Sequence, residues 1–279
     1  MIGVLKERAA RLGLPATVLV FEPSSKEFID PADAPPRLTR WREKFVALAE
    51  QGVDRLVTLR FDETMRAMSP QRFVDELIVA GLNARHVVVG HDFRYGARAQ
   101  GTIHSLRSAG SAGGFSVEQI PPFSIDGARV SSTLVRERLA AGDLPGAARL
   151  LGRRYRMMGR VTYGNALGRT LGFPTANLRL DRRKSPLYGI FAVRVTGIAD
   201  EALDGVASLG TRPTVDGIEP LLEVHVFDFD GDLYGRAIEV EFVAKLRDEA
   251  KFESLAAMVA QMHVDAAQAR DVLSKVKCG

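Results

Sequence analysis

The hydrophobic period of this chain changes near Leu151-Gly152, and that change constrains the fold more than any other feature. Before it, continuous apolar runs alternate with stretches of helical spacing. Ala16 to Phe21, Asp54 to Leu59, His86 to Gly90 and Phe115 to Ile120 read as strands, the apolar runs as ones buried on both faces. Val4 to Leu12 reads as a helix already under way. A second helix runs from about Thr39 to Gly52, and a third starts at Ser69-Pro70 and continues through Phe73, Leu77 and Ala80. Such alternation predicts an open, mostly parallel α/β sheet. Beyond the change, Phe191, Val193 and Val195 alternate with Ala192, Arg194 and Thr196, and Ile238, Val240 and Phe242 alternate with Glu239 and Glu241. Short alternating strands between Gly, Pro and Asp turns predict an antiparallel barrel. Phe252, Leu255, Val259, Met262 and Ala266 recur at helical spacing, as expected of a helix covering that barrel. At 279 residues there is room for two domains, which we place at 1–151 and 152–279.

Composition narrows the function classes. Hydrophobic residues make up 46% and charged residues 26%, values of a globular chain rather than a disordered one. No apolar run approaches the roughly 20 residues of a membrane span, and the opening Met-Ile-Gly-Val-Leu-Lys-Glu-Arg turns charged too early for a signal peptide. The single cysteine, Cys278, can form no internal disulfide, which fits a cytoplasmic location. A net charge of +4 suits anionic nucleotides, but no basic stripe with stacking aromatics marks a nucleic-acid partner.

The densest chemistry lies between Gly164 and Asn177, which reads Gly-Asn-Ala-Leu-Gly-Arg-Thr-Leu-Gly-Phe-Pro-Thr-Ala-Asn. Glycine-rich backbone can form a nest of N–H groups for phosphate oxygens, and Arg169 can add a bidentate contact. Thr175 and Asn177 are neutral oxygen donors two positions apart, of the hard kind that suits Mg²⁺. Taken alone, the stretch reads equally well as a glycine-rich hairpin leading into an ordinary strand. In the same way, Glu223 alternates with the core-type residues Leu222, Val224 and Val226, and on the strand alone it is an exposed carboxylate.

This stretch resembles the signature of bacterial riboflavin kinases within the bifunctional riboflavin kinase/FMN adenylyltransferase (FAD synthetase) family. Gly210-Thr-Arg-Pro-Thr214, Leu222-Glu-Val-His225 and Asp232-Leu-Tyr-Gly235 resemble further motifs of that family in the same order. The resemblance implies a nucleotidyltransferase-like Rossmann-type α/β domain followed by a riboflavin kinase β-barrel with a C-terminal helix. It implies ATP-dependent phosphorylation of riboflavin to FMN, with Mg²⁺ at Thr175 and Asn177 and ATP phosphates at Gly164, Gly168, Arg169 and Thr170. Glu223 matches the catalytic base, Arg247 a position near the flavin, and His225 a structural or orienting residue. In the first domain, Gly90-His-Asp-Phe-Arg-Tyr-Gly96 and Val130-Ser-Ser-Thr-Leu-Val-Arg136 resemble the adenylyltransferase motifs, so Asp92, Ser132, Thr133 and Arg136 are its expected remnant.

Family members carry a strand and a Gly-x-Phe-Asp-Gly-x-His-x-Gly-His segment in the region preceding the equivalent of Met1. None of the five histidines here sits in such a motif. The expectation is a first domain without its opening strand, an exposed apolar sheet edge, and adenylyl transfer from ATP to FMN in doubt. A non-catalytic flavin- or nucleotide-binding module is the alternative to an enzyme.

Overall fold

The computed structural model describes residues 1–163, 171–214 and 217–277. Its contacts divide the chain into two compact units. The first comprises Met1–Pro35 and Trp41–Arg129; the second comprises Pro36–Arg40 and the chain from Val130 onward.

The first unit opens with α1 (Ile2–Leu12), stopped by Gly13 in the left-handed region at φ 62°. Then come β1 (Thr17–Glu22), α2 (Ser25–Ile29), α3 (Trp41–Glu50), β2 (Arg55–Arg60) and α4 (Glu63–Ala67). Helix α5 (Pro70–Arg72), with Ser69 as its cap, continues into a π-helical stretch over Phe73–Gly81. The unit closes with β3 (His86–Gly90), α6 (Ile103–Gly113), β4 (Ser116–Ile120) and a short hairpin of β5 (Ser124–Ile125) and β6 (Ala128–Arg129). Strands β1 and β2 pair in parallel, as do β3 and β4.

The single open sheet expected from the sequence resolves into these two parallel pairs. Each of β1 and β3 therefore keeps one edge without a strand partner among the described residues. The expectation of strands buried on both faces is corrected accordingly. All six residues of β1 are partly exposed, and only Val89 in β3 is buried. The unit's core gathers instead around Phe73, Val74, Ile78, Leu106 and Phe115, beside the strands.

The second unit begins with α7 (Ser132–Ala140) and α8 (Leu144–Leu151). Six strands follow: β7 (Arg156–Thr162), β8 (Ala176–Arg179), β9 (Gly189–Thr196), β10 (Leu203–Thr214), β11 (Gly217–Val226) and β12 (Ala237–Arg247). They close into an antiparallel barrel in the order β10-β11-β8-β7-β12-β9, which removes the open edges a flat sheet would expose. The alternation legible in the sequence is realised. Phe191, Val193 and Val195 point inward with Leu209, Leu222, Val224 and Val240, and Val135, Leu139, Leu144 and Ala147 of the two preceding helices join the same core. Helix α9 (Leu255–Lys277) packs on the outer face of β9, β10 and β12, where Ala269 and Leu273 meet Ala192 and Phe227.

Candidate active site on the barrel wall

The inward alternation of β11 decides which side chains face out. Leu222, Val224 and Val226 are buried in the core, so Glu223 and His225 project from the outer wall. Register then fixes their neighbours. Glu223 pairs directly with Asn177 of β8, Asn177 pairs with Thr162 of β7, and Glu223 pairs on its other side with Ser208 of β10. Side chains directly opposite in such pairs lie roughly 5 Å apart at Cβ. One polar row, Thr162–Asn177–Glu223–Ser208, thus crosses four strands. The Thr162 hydroxyl donates to the Asn177 carbonyl at 3.3 Å, which ties β7 to β8 within the row.

Glu223 is half-buried, and among the described residues its carboxylate has no hydrogen-bond or ion-pair partner. Burial pushes its pKa above the usual carboxylate range, while the guanidinium of Arg212 on β10 pulls partly the other way. An acid that is desolvated yet unpaired retains affinity for a proton, which is what a general base at neutral pH needs.

The oxygen donors of the row are the Thr162 and Ser208 hydroxyls, the Asn177 amide and the Glu223 carboxylate itself, with no thiolate among them. That set fits Mg²⁺, which takes few protein ligands and completes its shell with water and phosphate. No group of three or more His, Cys, Asp or Glu suited to a metal occurs among the described residues.

Residues 151–273 match the family model for riboflavin kinase, and residues 1–134 match that for FAD synthetase. The bifunctional riboflavin kinase/FMN adenylyltransferase of Escherichia coli is 44% identical over 98% of this chain and 87% of its own length. That of Pseudomonas fluorescens is 46% identical over 97% of this chain and 86% of its own. The chain belongs to the bifunctional riboflavin kinase/FMN adenylyltransferase family. A crystal structure described as a macrolide-efflux protein from Streptococcus pneumoniae is also similar. It has a TM-score of 0.77 and 31% identity, covering 95% of this chain and 86% of that one. Among the described residues, no helix of the present chain is long and apolar enough to cross a membrane.

The other residues expected of this family fall as follows. Gly164, Gly168, Arg169 and Thr170 lie outside the described residues. Their approach is visible: Tyr163, just before them, stacks on Tyr234 of the Asp232-Leu-Tyr-Gly235 motif with ring centroids 3.9 Å apart. That motif is a tight turn in which Asp232 Oδ1 accepts from the Tyr234 N–H and Gly235 adopts φ 75°. Thr175 immediately precedes β8. Arg247 directs its fork at Asp265 of α9, with Nε–Oδ1 2.8 Å and Nη2–Oδ2 2.6 Å, and its guanidinium lies 5.7 Å from the Phe252 ring centroid. The arrangement docks α9.

Asp92, in the first unit, accepts from Arg129 at 3.1 Å, and that bond holds its carboxyl below the usual range. The α7 residues belong to the second unit. Ser132 and Thr133 occupy the first turn, but the capping side chain is Ser131, whose hydroxyl accepts from the Leu134 N–H at 3.2 Å. Arg136 Nε donates to the Pro36 carbonyl at 2.7 Å, and burial lowers its pKa. Sequence reading missed Thr162 and Ser208. Each lies two residues before a motif, at Gly164 and Gly210, and only the strand register shows them flanking Asn177 and Glu223.

Proposed function

We propose that the barrel phosphorylates riboflavin to FMN with ATP and Mg²⁺, and that Glu223 is the base. The observation that carries this reading is the half-buried Glu223 carboxylate, in direct register with Asn177 and without a hydrogen-bond or ion-pair partner among the described residues. In this scheme Glu223 accepts the proton of the riboflavin 5′-hydroxyl as that oxygen bonds to the γ-phosphorus of ATP. ADP leaves with the electrons of the broken β–γ bridge. Thr175 and Asn177 would hold Mg²⁺, which supplies charge neutralisation on the phosphates when bound. The glycine-rich stretch with Gly164, Gly168, Arg169 and Thr170 would cradle those phosphates. Arg247, whose Nε and Nη2 donate to Asp265 and whose Nη1 donates to the Asp248 carbonyl at 2.9 Å, would contact the flavin only by giving up or sharing one of these bonds.

The match of residues 1–134 to FAD synthetase supports a second reaction, adenylylation of FMN to FAD, with Asp92, Ser132, Thr133 and Arg136 as its candidate contacts. We assign residues 1–151 to that half and 152–279 to the kinase half, in keeping with matches that end at 134 and begin at 151. ATP as donor and a lone cysteine fit a cytoplasmic setting.

The test is incubation of the purified chain with riboflavin, ATP and Mg²⁺, followed by chromatographic separation of the flavins. FMN should form, and Glu223→Gln should suppress it. No FMN from a folded chain overturns the proposal. A FAD peak supports the second reaction; FMN alone confines activity to the barrel.

A further inference from the structure

The ladder between β8 and β11 stops at Ala176–Val224, one step short of Thr175. The residue before that, Pro174, has no N–H to pair and carries a lone carbonyl. Past the end of the ladder, the His225 side chain takes over. Its Nδ1 lies 2.9 Å from the Pro174 carbonyl oxygen. A carbonyl only accepts, so Nδ1 carries the proton in this contact.

The ring is held in turn. Phe173, 5% exposed, meets His225 edge-on at 5.1 Å between centroids and meets His263 of α9 at 4.7 Å. On its other side His225 meets Phe227 at 5.7 Å, and Arg270 of α9 lies 4.2 Å over that ring while paired with Asp228. A continuous ladder of rings, His263–Phe173–His225–Phe227, therefore joins α9, the segment leading to Thr175, and the strand bearing Glu223.

We propose that His225 is a positioning residue: by donating to the Pro174 carbonyl it holds Thr175 and Asn177 in register with Glu223. This rests on the kinase reading of those three residues. His225 touches neither phosphate nor flavin in this scheme; it acts through the Pro174 backbone. Its role is to keep the metal-holding oxygens and the base on one rigid surface after the backbone ladder has ended.

Two variants separate the ring from the proton. His225→Phe keeps an aromatic ring between Phe173 and Phe227 but has no N–H to donate. His225→Asn loses the ring but places an amide N–H near the position of Nδ1. With an unchanged melting temperature, His225→Phe should raise the Mg²⁺ concentration for half-maximal kinase activity about 2- to 12-fold, the size of one neutral hydrogen bond. The KM for riboflavin should stay unchanged, and His225→Asn should recover most of the Mg²⁺ response. Wild-type Mg²⁺ dependence in folded His225→Phe overturns the proposal.

A readout on the unaltered protein stands beside these. The imidazole ¹⁵N spectrum of neutral His225, without nucleotide or metal, should show the Nδ1-protonated tautomer. An Nε2-protonated ring removes the bond to Pro174 and the proposal with it, even where a variant fails to fold. Glu223→Gln is run in parallel: full activity there defeats the kinase-site reading itself, whereas an inactive Glu223→Gln with an unaffected His225→Phe defeats only the role of His225.

Discussion

The outer wall of the barrel has two halves that treat their carboxylates in opposite ways. Over β9, β10 and β12, α9 supplies a cover, and Asp265 at 3% exposure is met by Arg247 Nε, Arg247 Nη2 and Gln261 Nε2 at 2.6–2.9 Å. On β7, β8 and β11, Glu223 sits half-buried in a polar row with no partner among the described residues. Both acids are removed from water to a considerable degree, yet only one is compensated. Full pairing makes Asp265 a fastener, since a charge with three donors has nothing further to react with. Absence of pairing leaves Glu223 energetically unsatisfied, and a group in that condition can accept a proton from a substrate.

The sharpest way to break this contrast is to neutralise each acid in turn. Glu223→Gln should lower kcat for FMN formation about 10²- to 10⁴-fold, the usual contribution of a positioned base, without lowering the melting temperature. A decrease below tenfold in steady-state assays would place Glu223 among ordinary surface carboxylates. Asp265→Ala should do the reverse. It strands a guanidinium that is 23% exposed at its side chain, so we expect the lower end of the range for a broken buried pair, about 3 kcal/mol in a urea titration. The kcat of the molecules that remain folded should hold within about twofold, given that Asp265 contributes no group to the polar row.

The two halves also differ in how far the sequence disclosed them. Leu222, Val224 and Val226 alternate with Glu223 and His225 in plain view, and the barrel realises that alternation because a strand side chain has only two directions available. Phe227 continues the outward face in the sequence but is 4% exposed, since α9 covers it from far along the chain. Thr162 and Ser208 had no legible role: their place beside Asn177 and Glu223 comes from non-local pairing, for which no local residue pattern exists. The first unit was legible in its strands and less so in its helices. Ile103–Gly113 was missed because Ser, Ala and Gly blur its helical period, and its capping box uses Ser105 where the usual signal is Glu or Gln. The apolar runs there promised fully buried strands, but a strand with one partner has only part of its surface covered.

A smaller effect sharpens the contrast within the polar row itself. Thr162→Val keeps the shape of the side chain and removes the hydroxyl that donates to the Asn177 carbonyl. The bond is long at 3.3 Å and neutral, so about 0.5–1 kcal/mol of barrel stability should be lost in a urea titration. Its KM for riboflavin should stay unchanged. A loss of several kcal/mol would mean that the row is a structural network like the Asp265 cluster and not a surface left open for chemistry.

The smallest expected effect has the clearest sign. Burial raises the folded-state pKa of Glu223 above its value in the unfolded chain, with Arg212 opposing. Above that folded pKa, both states are ionised and the folded protein bears the uncompensated desolvation of a carboxylate. Below the unfolded pKa, both states are protonated and that burden is absent. Stability associated with this group is therefore present in acid and is lost as pH rises through the folded pKa. Glu223→Gln removes the titration, so the variant should melt no more than a few degrees above the parent at pH 8. The gain should shrink as pH falls below the carboxylate range. The parent's kinase rate should fall over the same acidic interval as the base becomes protonated, beginning at a higher pH than for an ordinary exposed glutamate. Thermal scans of both proteins from pH 8 to pH 4 read the first expectation and a pH–rate profile reads the second. A variant less stable than the parent at pH 8 would mean that Glu223 has a stabilising partner after all, and the two halves of the wall would no longer differ in kind.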